Sequence, residues 1–300
     1  MNASLIPLQQ SLIPIIDRWS AGHLDYATAI PGLNLFRRET PLPPAFCLIK
    51  PSVVLVVQGD KQMYAGDKTY PYDITRFLIT SLELPAKSET LSASAEKPCL
   101  GLNLELDKRL ITEMVAHGEV PSKSDVTEGC VGTGRVTDKL LESFQRLVSL
   151  LDEPEAVSAL LPGVMREIHY RLLTSDQGSR LRQIASVEGQ GYKIAKAIDW
   201  LCLHFSEPLS IDALSSQVQM STTTFHSHFR RLTSMTPLQY QKWLRLNEAK
   251  RLMLNDDLDA ASAGYKVGYE SPSQFNREYS RLFGVSPRRD VEMLRTQLVS

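Results

Sequence analysis

Cysteine, uninterrupted apolar sequence and net charge are all scarce in this 300-residue chain. Its four cysteines, Cys47, Cys99, Cys130 and Cys202, are scattered with no two-residue spacing, which excludes a zinc knuckle and a dithiol redox motif. They read as reduced, mostly buried thiols. The apolar run Val53 to Val57 falls far short of the roughly 18 residues that a membrane-spanning helix needs. Met1 to Trp19 lacks a basic first segment and a small-residue cleavage site, and so does not read as a signal peptide. These absences set the expectation of a soluble, cytoplasmic protein with no membrane partner. Lys and Arg number 33 against 34 Asp and Glu, so no overall field draws the chain to nucleic acid, and such a partner must be met locally.

Enzyme signatures are missing as well. No histidine lies between Pro41 and Leu106, so the histidine-based metal site common in metal-binding barrels cannot be built from that segment. His226 and His228, two apart on a helix, point to different faces. A nucleophile elbow, a P-loop and a dinucleotide fingerprint are all lacking. The glycines of Gly129-x2-Gly132-x-Gly134 stand in the wrong order for such a fingerprint, and the segment reads as a flexible loop. The expectation is a non-enzyme without cofactor or metal.

What is present is enough apolar sequence, 43%, to bury a core in a chain whose length suggests two domains. From Pro41 to Leu106 short apolar runs (Val53 to Val57, Phe77 to Thr80, Leu100 to Leu106) alternate with turn signals. Gln58-Gly59-Asp60-Lys61 and Ala65-Gly66-Asp67-Lys68 read as hairpin-type turns. That spacing predicts an antiparallel barrel or sandwich. After Asp107 the periodicity turns helical, through Leu140, Leu141, Phe144, Leu147, Val148 and Leu151, and again after Pro162 through Val164, Ile168 and Leu172. A domain boundary is expected at Gly189, giving domains 1–188 and 189–300.

The last 110 residues are the most informative. A helix from near Tyr192 stops before Pro208, Ser210 caps a short helix, and Ser221 caps another. Thr236-Pro237 opens a long helix to about Leu254 whose exposed side carries Lys242, Arg245, Lys250 and Arg251. A short helix from Asp259 to Lys266, a turn at Val267-Gly268-Tyr269, and a helix capped by Ser271 and closed by Gly284 then repeat the pattern. Ser221-x3-Phe225-x3-Phe229-x2-Leu232 and Ser271-x3-Phe275-x3-Tyr279-x2-Leu282 share their offsets. Two helix-turn-helix units joined by a long helix are predicted. From Tyr192 onward 14 basic residues stand against 11 acidic ones, the sign expected of a DNA-binding end.

The runs Ala249-Lys250-Arg251-Leu252-Met253-Leu254, Gly264-Tyr265-Lys266-Val267-Gly268-Tyr269-Glu270-Ser271-Pro272-Ser273-Gln274-Phe275 and Phe283-Gly284-Val285-Ser286-Pro287-Arg288-Arg289 resemble the C-terminal DNA-binding domain of the AraC/XylS family of transcription regulators. Thr40-Pro41-Leu42-Pro43-Pro44, Lys50-Pro51-Ser52 to Gln58-Gly59 and Leu82-Glu83-Leu84-Pro85 are similar to the branch with a cupin-like N-terminal effector domain. The resemblance implies an α+β two-domain protein: an antiparallel β-barrel with flanking helices, then an all-α domain of two helix-turn-helix units. It also implies a sequence-specific regulator, an activator by family habit, whose partner is double-stranded DNA. By position in the family motif, base contacts fall on Thr223, His226, Ser227, Ser273, Asn276 and Arg277. Phosphate contacts fall on Ser221, Arg230, Lys242, Arg245, Ser271 and Arg281. The chain departs from the family at Ser215 and Gly264, where alanine is usual, and glycine inside a helix costs about 1 kcal/mol.

The barrel then reads as a sensor or dimerisation scaffold. Tyr64, Tyr70, Tyr72 and Phe77 are the candidate lining of a small-effector pocket, and each is as readily plain core. Two alternatives stand beside this: thiol sensing of an electrophile at Cys47 and Cys99, which needs an accessible thiolate, and a cupin-type enzyme. The helices around Leu140 to Leu151 and Val164 to Leu173 offer a surface for a homodimer or else cover the barrel, and RNA polymerase is a further candidate partner.

Overall fold

The structure is a computed structural model that describes residues 5–120, 129–186 and 189–299. The chain divides into two compact units, Met1–Lys193 with Arg231–Ser234, and Ile194–Arg230 with Met235–Ser300. The expected boundary after residue 188 abuts residues 187–188, outside the described residues.

The first unit opens with α1 (Leu5–Ser20) and continues through β1 (Asp25–Ala27), β2 (Leu33–Arg38), β3 (Leu42–Ile49), β4 (Ser52–Gln58), β5 (Asp60–Ala65), β6 (Lys68–Asp73), β7 (Arg76–Thr80), β8 (Leu84–Ser92) and β9 (Cys99–Glu105). Then come α2 (Lys108–Ala116), β10 (Val131–Arg135), α3 (Asp138–Ser149), a 3-10 turn (Leu150–Asp152), α4 (Val157–Leu173) and α5 (Gly178–Ala185). All strand pairings are antiparallel, in the order β1-β2-β9-β4-β7-β6-β5-β8-β3, with β10 on β7, a sheet curled into a half-barrel with β1 and β3 at its ends.

The sheet has two differently used faces, because side chains alternate along each strand. Leu33 and Leu35, Val53, Leu55 and Val57, Phe77 and Ile79, and Leu100, Leu102 and Leu104 form one core with Leu12 and Ile16 of α1 and Leu140, Leu141, Phe144, Leu147 and Val148 of α3. The apolar stripe of α3 is therefore part of this core, the covering role that the sequence left open beside self-association. The other face looks into the half-barrel: Lys61 and Tyr72 are cross-strand partners, as are Met63 and Tyr70, Lys61 and Thr90, and Cys47 and Ala86.

Three local expectations are corrected. Ala65-Gly66-Asp67-Lys68 is a hairpin, with Gly66 at φ +63°, but Gln58-Gly59-Asp60-Lys61 is not, since β4 pairs with β7 and β9 rather than β5. Gly59, at φ +87°, instead turns a corner against Cys99, whose Cβ lies 2.8 Å from where a side chain would begin. The Gly129–Gly134 segment is no flexible loop. Its end is β10, and a Cβ on Gly134 would stand 2.3 Å from the Phe77 ring, so glycine there lets a strand lie directly over an aromatic. The helix read after Pro162 begins earlier, at Val157, and carries Pro162 inside it.

The second unit is helical: α6 (Gln190–His204), α7 (Ile211–Gln217), α8 (Thr222–Thr233), α9 (Pro237–Asn255), α10 (Ala260–Lys266), α11 (Pro272–Phe283) and α12 (Pro287–Val299). The predicted stops and caps are where the helices end. Ser210 accepts from the Ala213 amide, Ser221 from Thr224, Asp259 from Ala261 and Ser262, and Ser271 from Gln274, while Thr236 and Gln239 form a capping box. Gly284 closes α11 at φ +82°. Pro287 begins α12, beyond the turn at Gly284.

Candidate nucleic-acid interface

Each helix-turn-helix is built by the same backbone bonds. In the first, Val218 caps the end of α7, its amide donating to the Leu214 carbonyl, and the Met220 amide donates to the Ser215 carbonyl at 2.9 Å. In the second, Val267 donates to Ala263 and Tyr269 to Gly264 at 3.0 Å. The short helices thus correspond at an offset of 49 residues, and the following helices, counted from Ser221 and Ser271, at 50. Glu270 is the added residue. The left-handed turn position is Gln219, φ +55°, in one unit and Gly268, φ +91°, in the other.

These turns seat α8 and α11. Phe225 and Phe229 are fully buried, Phe229 edge-on to Tyr240 at 5.6 Å, and Phe275 and Tyr279 are buried in the second unit's core. Gly264 answers the concern its sequence raises, because a Cβ there would lie 3.0 Å from the Phe275 ring. Glycine is what allows α10 and α11 to approach so closely, whereas the first unit has Ser215, buried 3.4 Å from the Thr222 hydroxyl.

Burying those aromatics turns the polar residues outward. Thr223, His226 and Ser227 are exposed on α8, and Ser273, Asn276 and Arg277 on α11, each set spaced i, i+3, i+4 and therefore on one face. Arg230 and Arg281 are exposed farther along the same helices, and Ser221 and Ser271 cap their N-termini, where unpaired amides favour phosphate. Among the described residues, Arg277, Arg281 and Arg230 carry no ion pair.

The basic residues of α9 keep the partly solvent-facing side that periodicity suggests, but each is engaged by a partner. Lys242 is paired with Glu278 at 2.8 Å, Lys250 with Asp290 at 2.8 Å, and Arg251 with Glu248 at 2.8 Å. Arg245 donates into backbone carbonyls of both helix-turn-helix units. Burial pushes the Glu278 carboxyl up, but hydrogen bonds from Lys242, Gln274 and Tyr269 outweigh it and hold the group below its usual range. Lys242 and Arg245 therefore do not sit as free cations, because the carboxylate and carbonyls that hold them belong to the same unit.

The four aromatic residues of the half-barrel are not brought together. Tyr72 is buried in the interior and Tyr70 half-buried beside it. Phe77 belongs to the core under the helices, and Tyr64 faces outward, its hydroxyl donating to Glu89. The interior instead holds Lys61, 7% exposed, with Nζ 3.2 Å from the Thr90 hydroxyl and 4.9 Å from the centre of the Phe36 ring. Burial, aided by Arg38, lowers its pKa from the ordinary 10.5. Its place in the period shared with Met63 and Ala65 was the available sequence signal. Of the two thiols considered for sensing, Cys99 is buried and Cys47 half-buried, and burial pushes the Cys47 thiol up to about 11 and raises that of Cys99.

Comparison with known proteins agrees with this anatomy. Residues 29–180 match the model of the AraC-type transcriptional regulator N-terminus, and residues 214–292 a helix-turn-helix domain. The HTH-type transcriptional activator RhaS of Escherichia coli (strain K12 / DH10B) is 27% identical over 155 residues, 51% of this chain and 55% of that protein. The same figures hold for RhaS of Shigella boydii serotype 18, so the matched part of the chain spans about half the length of these curated relatives. In fold, the chain is similar to ToxT from Vibrio cholerae O395 (TM-score 0.52, 9% identity, 87% of this chain and 97% of that one). It is likewise similar to unsaturated fatty acid bound ToxT from strain SCE256 (TM-score 0.51, 10% identity, 86% and 94%). With a family model covering half of its residues and two helix-turn-helix units behind, the chain belongs to the AraC/XylS family of transcription regulators, in the branch with an AraC-type N-terminal domain.

Proposed function

We propose that the protein is a sequence-specific DNA-binding transcription regulator, acting as an activator on double-stranded promoter DNA in the cytoplasm. The observation that carries this is the pair of helices α8 and α11, which bury equivalent aromatic faces and expose equivalent polar ones. A recognition helix fits the major groove, and two of them on one chain suit successive grooves about 34 Å apart. Thr223, His226 and Ser227 read one half-site, and Ser273, Asn276 and Arg277 the other. Arg277 carries the largest single share, since arginine pairs bidentately with guanine. Arg230, Arg281 and the capped N-termini at Ser221 and Ser271 hold phosphates. Lys242 and Arg245, engaged within their own unit, contribute to position instead.

The half-barrel interior beside Lys61, Tyr70 and Tyr72 is the effector site in this reading. A buried ammonium without an ion pair among the described residues favours a ligand that brings a carboxylate or another negative group. Catalysis forms no part of the proposal. The regulator works as a homodimer and acts with RNA polymerase. The mass of the intact protein at micromolar concentration tests the dimer, and a monomer would refute it.

The decisive experiment is binding of the full chain to DNA from upstream of its own gene, against scrambled DNA, in a salt series beside Arg277→Ala. Wild type should prefer the upstream DNA, with affinity falling steeply in salt. The variant should lose about 1–3 kcal/mol of that preference, roughly 5- to 150-fold. Absence of binding at low salt would overturn the proposal.

A further inference from the structure

Arg245 stands on α9, the helix that joins the two helix-turn-helix units, and its guanidinium ends where their backbones meet. Nε donates to the Phe205 carbonyl at 2.7 Å, and the two terminal nitrogens donate to Gly268 at 2.7 Å, Glu207 at 2.8 Å and Ser206 at 3.2 Å. Phe205 to Glu207 form the link between α6 and α7 in the first unit, whereas Gly268 is the turn of the second. The donors of a guanidinium lie in one rigid plane, so bonds to both segments hold them at one separation. Gln241, one turn earlier, doubles the hold on the first unit, its Nε2 lying 3.0 Å from the Phe205 and 2.7 Å from the Glu207 carbonyl.

Two further contacts act in the same sense. A Cβ on Gly268 would lie 2.1 Å from the Ser206 carbonyl oxygen, so the two backbones are in direct contact. Glu278, on α11 itself, accepts from Lys242 of α9 at 2.8 Å and from the Tyr269 hydroxyl at 2.9 Å. The recognition helix of the second unit is thereby tied both to the linker and to its own turn.

We propose that Arg245 is a positioning residue that sets the separation and rotation of the two recognition helices, and with them the half-site spacing the protein accepts. This rests on the DNA-binding reading above. A phosphate contact would present its donors to open solvent, whereas those of Arg245 point into four carbonyls. Removing the guanidinium releases two units that each keep their own core, so the loss falls on their mutual placement.

The test uses the full-length protein and duplexes selected from a random DNA pool with wild type. One base pair is then inserted or removed between the two contacted half-sites. Wild type should lose about tenfold or more in affinity, since one pair shifts the second site both along and around the duplex. Arg245→Met, folded by its melting curve, should bind the selected duplex more weakly yet lose less than about threefold on insertion, with its salt slope kept. Arg281→Met should do the reverse, keeping the spacing penalty and losing about one from the salt slope. An Arg245→Met protein that behaves like Arg281→Met would overturn the proposal and make Arg245 a phosphate contact.

Distances between spin labels on ketone-bearing residues at positions 227 and 273 read the same separation without DNA. One narrow distribution in wild type that broadens in Arg245→Met supports the brace, and unchanged distributions overturn it. Arg245→Lys, which keeps charge without the planar fork, serves if the methionine variant fails to fold, and should broaden the distribution too. If wild type selects no duplex at all, the DNA-binding reading fails while the label distances still decide the role of Arg245.

Discussion

Burial decides what individual side chains can do here. His169 is fully buried in α4, its Nδ1 2.7 Å from the Met165 carbonyl and its Nε2 accepting from the Asp107 amide at 2.9 Å. That arrangement needs the neutral ring, and burial holds its pKa below the ordinary 6.5. Below that pH the unfolded chain takes up a proton that the folded one refuses, so stability falls with acidification. Melting temperatures measured from about pH 7.5 down to about 5.5 should therefore fall more steeply for wild type than for His169→Gln, and equal slopes would remove His169 as the cause. The thiols follow the same rule. Burial drives Cys130 up to about 12 and raises Cys99 as well, so both should resist labelling at neutral pH until the protein unfolds. Modification of Cys47 or Cys99 in native protein would support the electrophile-sensing alternative. Lys61 belongs here too: an ammonium placed among apolar and hydroxyl groups is legible only once the strand pairing shows which way β5 faces.

Among the elements, the second unit was the most legible, because capping residues and helical spacing act over a few neighbouring positions. Glycine marks where local rules ran out. Gly284→Ala meets open space and carries only the strain of φ +82°, so a loss of about 1 kcal/mol is expected. Gly268→Ala adds a collision with the Ser206 carbonyl and should cost clearly more, about 2 kcal/mol or above, in denaturant unfolding of the full chain. Gly264→Ala gains helix propensity but presses on Phe275, which is fully buried between Tyr269 and Tyr279 at 5.4 and 5.6 Å and has little room to yield. A net loss of about 1 kcal/mol is expected, and a more stable variant would mean that the aromatic cluster relaxes. Elements that depend on distant partners were harder to read. Val131–Arg135 has two glycines and no apolar alternation, and it is a strand only because β7 offers it an edge.

In the molecule as a whole, near-zero net charge conceals a division of labour, with the excess of basic residues confined to the sequence after Tyr192. A separate 189–300 segment should bind arbitrary duplex DNA at low salt with an affinity that falls steeply as salt rises, and a 1–188 segment should not. Equal behaviour of the two in a filter or polarisation assay would refute that division. Family, the caps and ends of α7 to α11 and the outward-facing set on α8 and α11 were determined by the sequence alone, because each depends on residue type at short spacing and on a pattern written twice. Only the tertiary structure decided that Lys242 and Arg245 face partners within their own unit, that Phe77 and Tyr72 serve different sides of one sheet, and that Lys61 is enclosed by it. The physical reason is common to all three: a long side chain on a helix or strand can reach solvent or a neighbour, and which it meets depends on carbonyls, carboxylates and strands that folding brings in from elsewhere in the chain.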